Sequence, residues 1–191
     1  MTERAVPRSA ARLQLQVLGL EADRSRVWSW ALLASLVCAA ACGSLSGRPR
    51  PLLLWNASPS SPPGLYRVTS TGTPRRGDMV VAWAPRRARA LAAARGYLPA
   101  DVPLLKPVAA LAGDRVCAVG KRILVNGRPA AVRRPRDPAG RPMPSWSGCR
   151  VLGAGELFLL SAGVPLAFDG RYFGVTRRAE AIGRAKLLWR G

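Results

Sequence analysis

The stretch KPVAALAGDRVCAVGKRILVNGRPAAV, residues 106–132, is the part of the sequence that most directly predicts the fold. Short apolar runs alternate in it with turn-forming pairs, a Gly-Asp step at residues 113–114 and an Asn-Gly step at residues 126–127. An Asn-Gly step between two apolar runs is a strong signal of a type I′ β-hairpin, because that turn requires positive φ at both central residues. The stretch therefore predicts consecutive antiparallel strands joined by tight turns.

The same pattern extends to both sides of this stretch. GLYRVTS (64–70) and GDMVVAWAP (77–85) are β-rich runs bounded by Gly, Pro and Asp, and further strands are expected in GELFLLSAG (155–163) and FDGRYFGVTRRAEAIGRAKLLW (168–189). One short helix is expected at RARALAAARG (87–96), where alanine is abundant and a terminal glycine would end it. Short strands at this spacing predict a mostly β fold, an antiparallel β barrel or sandwich.

An apolar run near the N-terminus, VWSWALLASLVCAAACGSL, contains no charged residue. Its roughly 19 residues are close to the ~20 that cross a bilayer as a helix. We therefore divide the chain into a cytoplasmic tail at 1–26, a transmembrane anchor at 27–46 and an external domain at 47–191, with the more positive tail inside. A cleaved signal peptide is the alternative, although the long leading tail favours a retained anchor.

The charge balance and the missing histidine exclude several classes of function. The chain carries 30 Lys and Arg against 10 Asp and Glu, a net charge of +20, and it has no histidine. This excludes Ser-His-Asp and Cys-His mechanisms and nearly all catalytic zinc sites, so we expect no metal and no cofactor. The charge fits either a GC-rich coding composition or attraction to anionic lipids. Because the arginines are scattered and no aromatic-rich binding motif accompanies them, we expect no direct nucleic-acid binding.

Lys106 is unusual because only Lys106, Lys121 and Lys186 among the 30 basic residues are lysines. It lies between Leu105 and Pro107, with no acidic residue within four positions. A neutral lysine amine can activate a serine in place of an imidazole if burial lowers the lysine pKa by several units. An arginine could not do so, because its guanidinium stays protonated. The alternative interpretation is a lysine whose amine reaches solvent from the side of a strand.

The four cysteines separate by location. Cys38 and Cys42 lie in the N-terminal apolar run, whereas Cys117 and Cys149 lie in the remainder of the chain. In an oxidising compartment outside a bacterial membrane, Cys117 and Cys149 would form a disulfide. Two buried free thiols are the alternative.

Three motifs in order resemble conserved boxes of the signal peptidase I superfamily. They are SPSSPPGLY (58–66), LLKPVAALAGDRV (104–116) and FDGRYFGV (168–175). The chain is most similar to the TraF type, the peptidases of conjugative transfer, whose nucleophile box resembles Ser-x-Pro-x-Gly-Leu-Tyr. The pairing of a cysteine after GDRV with one in SGC, Cys117 and Cys149 here, also resembles TraF. The resemblance covers roughly residues 50–188 and implies a signal-peptidase-like β domain.

The first two boxes imply the catalytic groups. By resemblance Ser60 is the nucleophile and Lys106 is the general base, and the hydroxyl of Ser58 helps the Ser60 N–H to form an oxyanion hole. A solvated linker serine is the alternative for Ser58. Ser61 is an alternative nucleophile, but it precedes Pro62, which restricts its backbone to extended conformations, and the register of PPGLY favours Ser60.

The remaining matches imply supporting residues. Asp169 and Arg171 match an Asp-x-Arg pair in which an ion pair supports the site, and Gly113 and Asp114 would shape a turn beside the lysine strand. The chain departs from the family at two places. The Gly-Asp-Asn-like turn that precedes the third box appears here as SAG, Ser161 to Gly163. A serine that orients the lysine often stands two residues before the third-box aspartate, and here that position is Ala167.

The resemblance implies a membrane-anchored serine endopeptidase with a Ser/Lys dyad, single-pass in the bacterial inner membrane with its catalytic domain in the periplasm. Its substrate would be an exported or membrane-inserted precursor, specifically a conjugative pilin. Either water resolves the acyl-enzyme or, as in TraF relatives, an amine of the same substrate does so and cyclises the pilin. Other conjugation or type IV secretion components are expected partners. A general type I signal peptidase is the first alternative function. A non-enzymatic basic component of a conjugative transfer apparatus is the second.

Overall fold

The computed structural model describes residues 24–45, 52–70 and 72–191, with side chains described at 27–40, 52–70 and 72–191. The chain divides into two compact units, Met1–Pro49 and Arg50–Gly191. Most of the expected cytoplasmic tail, residues 1–23, lies outside the described residues.

The N-terminal apolar run forms the helix α1, Arg24–Leu45, in the first unit. Every side chain described in this helix, at residues 27–40, is exposed, including the large apolar Trp28, Trp30 and Leu36. Among the described residues, no helix combines the length and the apolar character needed to cross a membrane. The expected transmembrane anchor is therefore not confirmed.

The second unit is built mostly of short strands. In chain order its elements are β1 Leu53–Asn56, β2 Gly64–Thr69, β3 Met79–Ala82, α2 Arg86–Ala94, β4 Leu104–Ala110, β5 Arg115–Val119, β6 Arg122–Val125, β7 Arg128–Val132, β8 Gly148–Val151, β9 Glu156–Leu159, α3 Gly170–Phe173, β10 Thr176–Arg177, a short 3₁₀ helix Arg178–Glu180 and β11 Ala181–Arg190. The helix expected at 87–96 is confirmed as α2. The mostly β class is confirmed as well.

Two antiparallel sheets organise these strands. The larger has seven strands in the order β1-β2-β11-β3-β4-β9-β10, so that the C-terminal strand β11 lies between β2 and β3. Its inner face buries Tyr66, Val81 and Leu105 in one cluster. A second cluster around Val116, Ile123 and Phe158 packs the smaller sheet against β9. Burial of these side chains supplies the main stabilisation of the unit.

The smaller sheet has the order β7-β6-β5-β8 and confirms the hairpin expected at Asn126 and Gly127. Asn126 has φ 51° and Gly127 has φ 78°, the positive values that a type I′ turn needs. The disulfide between Cys117 and Cys149 links neighbouring residues of β5 and β8. It closes a loop with a sequence separation of 32. In the chain-entropy model such a crosslink stabilises the fold by about 3–4 kcal/mol.

Two local predictions differ from the structure. The segment FDGRYFGV, expected to be a strand, contains the helix α3, because the Asp169 side chain accepts a hydrogen bond from the Arg171 backbone N–H and caps the first turn. Gly174, with φ 77°, ends that turn. Strand β1 was not predicted, since its LLWN sequence directly precedes a Ser- and Pro-rich stretch that reads as a linker.

Candidate active site

The loop between β1 and β2 brings Ser60 to the amine of Lys106. Lys106 projects from β4, and its Nζ donates a hydrogen bond of 2.5 Å to Ser60 Oγ across 46 residues of sequence. The two candidate catalytic residues are thus in direct contact. No other hydrogen bond of the Lys106 amine is formed with the residues that the structure describes.

The surroundings of Lys106 favour the neutral amine. Its side chain is buried, with 3% of the residue exposed. Burial lowers the lysine pKa from 10.5 to about 8, because the ammonium loses its hydration. The charge of Asp169 raises the pKa and the charge of Arg171 lowers it, so the two partly offset each other. A lysine with this pKa has a neutral fraction available near physiological pH, as a general base requires.

Ser58 lies directly beside Ser60. The two hydroxyl oxygens are 2.9 Å apart and hydrogen-bonded, and the Ser60 backbone N–H donates to Ser58 Oγ at 3.3 Å. The two groups expected to bind an oxyanion are therefore adjacent, and in this structure they bind one another. The role of Ser58 in an oxyanion hole stays a prediction.

Asn56 organises the loop that carries Ser60, a function that the sequence interpretation missed. Its buried side-chain nitrogen lies 3.0 Å from the carbonyl oxygens of Ser58, Ser61 and Pro62, and its Oδ1 accepts from the Ser58 N–H at 3.1 Å. Asparagine commonly stabilises turns by binding the backbone two residues later, so its position at the end of an apolar run was the available signal. Ser61 is buried and donates to the Leu105 carbonyl at 2.8 Å, which ties the loop to β4 beside Lys106.

Asp169 and Arg171 form a buried ion pair behind the site. The Arg171 Nε and Asp169 Oδ1 are 2.8 Å apart, and at most 1% of either side chain is exposed. The Ser161 N–H donates to Asp169 Oδ2 at 2.9 Å, while Arg171 Nη2 donates to the Ser161 carbonyl at 2.7 Å. Charges buried in this way persist only when they are paired and hydrogen-bonded. The pair fixes the segment between β9 and α3. The charges of Asp169 and Arg171 both act on the pKa of Lys106, in opposite directions.

Gly113 and Asp114 form the turn that joins β4 to β5. Gly113 has φ 86°, and Asp114 Oδ2 accepts from the Leu111 N–H at 2.8 Å. Asp114 Oδ1 accepts from Arg76 at 2.5 Å and from the Asn126 side chain at 2.8 Å. The turn therefore connects the lysine strand to the hairpin of the smaller sheet.

A cavity of about 670 Å³ opens at Ser60 and Lys106. Its walls include β1 residues on one side and residues 102–106 on the other, and most of the lining is apolar. Within residues 24–45, 52–70 and 72–191, no group of three or more His, Cys, Asp or Glu side chains is placed to hold a metal ion.

Comparison with known sequences identifies the family to which this site belongs. The profile of the family described as "Signal peptidase, peptidase S26" matches residues 25–190. The chain belongs to the S26 signal peptidase family.

Several S26-family relatives are conjugal transfer proteins. The chain is 38% identical over 141 residues to the "Probable conjugal transfer protein TraF" of Sinorhizobium fredii (strain NBRC 101917 / NGR234), covering 69% of this chain and 73% of that protein. It is 36% identical over 144 residues to the "Conjugal transfer protein TraF" of Agrobacterium fabrum (strain C58 / ATCC 33970), covering 70% and 80%. A "Plasmid transfer protein TraF" of Escherichia coli is 37% identical over 102 residues, covering 50% and 58%. The resemblance to TraF inferred from the motifs is confirmed.

Among solved structures, a signal peptidase I from Enterococcus faecalis V583 matches with a TM-score of 0.36 and 18% identity. The match covers 60% of this chain and 98% of that one. Likeness at this level is too low to support an argument about the site.

Ala167 occupies the position at which the family resemblance led us to expect a serine that orients the lysine. Ala167 is buried, 2% exposed, and offers no hydroxyl to Lys106. Ser161 Oγ is buried and forms no hydrogen bond with any described residue, so it does not orient the amine in this structure. The position of the Lys106 amine therefore depends on burial and on Ser60.

Proposed function

We propose that this S26-family chain is a serine endopeptidase in which Ser60 is the nucleophile and Lys106 is the general base. The observation that carries this proposal is the 2.5 Å hydrogen bond between Lys106 Nζ and Ser60 Oγ, made by a lysine whose pKa is lowered to about 8. A nucleophile and a base within hydrogen-bond reach are the geometric requirement for this class of catalysis.

The reaction follows from these two groups. Neutral Lys106 takes the Ser60 proton as Ser60 Oγ attacks the scissile carbonyl, and the resulting ammonium returns that proton to the leaving amine. The products of this half-reaction are the released amine and an acyl ester on Ser60. Lys106, neutral again, then activates the group that resolves the ester: either water, or an amine of the same substrate, which would cyclise it.

An oxyanion hole forms when the substrate carbonyl displaces the hydrogen bond between the Ser60 N–H and Ser58 Oγ. Both donors, the N–H and the Ser58 hydroxyl, then turn to the developing oxyanion. Loss of one such donor typically lowers the rate by about 10²–10³-fold.

The substrate binds as an extended strand between two open sheet edges. Strand β1 pairs only with β2, and pairing of β4 with β9 begins at Val108, so residues 104–106 have a strand partner on one side only within the described part of the chain. The cavity is lined by residues of both edges and by Ser60. Addition of a strand at an edge supplies backbone hydrogen bonds without demanding a particular side chain. Small residues near the scissile bond are expected from the family resemblance.

The substrate class is an exported or membrane-inserted precursor, and specifically a conjugative pilin. This part of the proposal rests on the relatives, which are named conjugal or plasmid transfer proteins. The partners would then be the pilin precursor and other components of the conjugation or type IV secretion apparatus.

The enzyme acts at the inner membrane, with its catalytic unit in the periplasm. Supporting this are the exposed apolar side chains of α1 and an exposed pair of tryptophans, Trp55 of the edge strand β1 and Trp189 of β11, whose ring centroids are 5.8 Å apart. Tryptophan favours membrane interfaces, and a disulfide suits an oxidising compartment. Alkaline carbonate should leave the full chain in the membrane pellet, and external protease should digest its catalytic unit in spheroplasts. Release by carbonate, or protection from protease, would refute this localisation.

The dyad is tested by covalent labelling with a fluorescent penem, which acylates activated serines. The full-length chain in nonionic detergent should gain one adduct, located on Ser60 by peptide mass spectrometry. Ser60→Ala should not be labelled, whereas Ser70→Ala, which removes an exposed hydroxyl at the end of β2, should be labelled like the wild type. Absence of an adduct on the wild type, or equal labelling of Ser60→Ala, would contradict the proposed nucleophile.

A further inference from the structure

The lining of the cavity beside the dyad carries unbalanced positive charge. Besides Lys106, its charged lining residues are Arg134, Arg136 and Asp137, all on the loop between β7 and β8. A positively charged wall attracts an anionic group of a ligand, and salt screens this attraction.

Asp137 does not neutralise that wall, because its carboxylate is already engaged. It accepts hydrogen bonds from the Tyr97 hydroxyl and from Arg141 Nε, the latter at 2.7 Å, and Arg95 Nη1 lies 3.7 Å away. Burial opposes ionisation, but the hydrogen bonds from Tyr97 and Arg141 lower the pKa of Asp137 to about 2. The negative charge of Asp137 is therefore balanced by Arg95 and Arg141.

Neither Arg134 nor Arg136 forms an ion pair with a carboxylate in the described part of the chain. The Arg136 Nη1 donates to the carbonyl of Gly140 at 2.7 Å, and its guanidinium forms no other hydrogen bond with the residues that the structure describes. The Arg134 guanidinium forms no hydrogen bond or ion pair with any residue that the structure describes. Both side chains are exposed at the cavity, so their donors are accessible to a ligand.

The loop that carries the two arginines is held in place on both sides. Arg133 donates to the Trp146 carbonyl at 2.5 Å and to the Gly120 carbonyl at 2.6 Å. The Trp146 indole N–H donates to the Gly170 carbonyl at 2.9 Å, which ties the end of the loop to α3. A fixed loop lowers the entropy lost when its side chains bind a ligand.

We propose that Arg134 and Arg136 form a subsite that binds a carboxylate of the substrate peptide, either an Asp or Glu side chain or the free C-terminus. This inference rests on the proposed function, since it assigns part of the same cavity to the substrate. The anionic groups of an unmodified peptide near neutral pH are carboxylates. The planar guanidinium group of an arginine can donate hydrogen bonds to both oxygens of a carboxylate. The subsite would select acidic precursors and set the distance between the acidic group and the scissile bond.

Binding is measured by fluorescence anisotropy on full-length Ser60→Ala in nonionic detergent, so that cleavage does not interfere. The probes are short alanine-rich peptides with an amidated C-terminus and a rhodamine label, carrying a single Glu or Gln at successive positions. At one position the Glu peptide should bind about 10-fold more tightly than its Gln counterpart, a typical effect of one charge-assisted contact. Added salt should reduce the difference.

The arginines are tested by adding Arg134→Gln and Arg136→Gln, which should abolish the preference for Glu. Arg122→Gln with Arg128→Gln is the matched control, because it removes the same charge from exposed arginines of β6 and β7 that do not line the cavity. The control should keep the preference. Equal binding of the Glu peptides, the Gln peptides and a Gln peptide with a free C-terminus, or a preference that survives loss of Arg134 and Arg136, would overturn the subsite.

The source of the carboxylate is distinguished by a Gln peptide with a free C-terminus. If only this peptide gains affinity, the subsite binds the chain end; if the internal Glu peptides gain it, the subsite binds an acidic side chain. Digestion of the same peptides by the wild type tests the subsite separately from the proposed peptidase activity. Cleavage without any acidic preference refutes the subsite alone, whereas an acidic preference without cleavage or penem labelling refutes the peptidase and leaves the subsite.

Discussion

Replacing Ser60 with alanine is expected to abolish peptide cleavage, lowering kcat/KM by about 10⁴-fold or more. The variant lacks the oxygen that forms the acyl ester, and among the described residues no other hydroxyl is hydrogen-bonded to the Lys106 amine. The fold should be unaffected, because Ser60 lies on a loop whose shape is set by Asn56 and Ser61. The rate is measured with an internally quenched peptide selected from a library digested by the wild type.

The control for this experiment is Ser70→Ala, which should cleave at the wild-type rate. Thermal unfolding of both variants should match the wild type, so that loss of activity is not loss of structure. Activity of Ser60→Ala within tenfold of the wild type would show that another residue is the nucleophile.

Replacing Lys106 with arginine or methionine is expected to lower kcat/KM by about 10²–10⁴-fold, the usual contribution of a general base. Arginine retains the charge but cannot release its proton, and methionine has a similar length but no amine. Lys186→Met, at an exposed position of β11, is the matched control and should retain full activity. Cleavage at the wild-type rate by Lys106→Arg would exclude a neutral lysine as the base.

The pH dependence tests the same group in the wild type. Only the neutral amine accepts the Ser60 proton, so kcat/KM should rise with pH around a midpoint near the Lys106 pKa of about 8. This rise should be absent from the residual activity of Lys106→Met. A wild-type profile that is flat through this range would contradict the assignment.

Stability should depend on pH with a predictable sign. Because burial lowers the Lys106 pKa from 10.5 in an exposed lysine to about 8, the folded chain holds this proton less tightly than the unfolded chain. The free energy of unfolding is therefore reduced below pH 8 and rises between about 8 and 10.5. The cost at neutral pH is about 3 kcal/mol. Lys106→Met removes this cost, so it should lose activity without losing stability, as judged by denaturant unfolding at neutral pH.

The parts of the structure that were predictable are those set by local chemistry. The Asn126-Gly127 hairpin, helix α2 and the antiparallel class follow from turn residues and from the spacing of apolar residues along a short stretch. The disulfide between Cys117 and Cys149 was expected from their location outside the apolar run, in an oxidising compartment, and from the TraF resemblance. Helix α3 was missed because the residues around it favour a strand. The Asp169 side chain caps the first turn and so stabilises the helical conformation instead.

The organisation of the site could be predicted only in part. Ser60 and Lys106 were identified by their motifs and by the absence of histidine, and the structure brings them into contact. The role of Asn56 could not be derived from the motif, because its hydrogen bonds depend on the path of the loop after β1.

The sequence by itself determined the secondary structure of most of the second unit, the family, and the identity of the two candidate catalytic residues. It did so because turn chemistry, strand periodicity and motif order all act over a few neighbouring residues. Only the tertiary structure decided the environment of Lys106, whose pKa falls because β4 is buried, and the placement of Arg134 and Arg136 on the cavity wall. Burial and long-range charge depend on segments far apart in sequence, and these meet only when the two sheets pack.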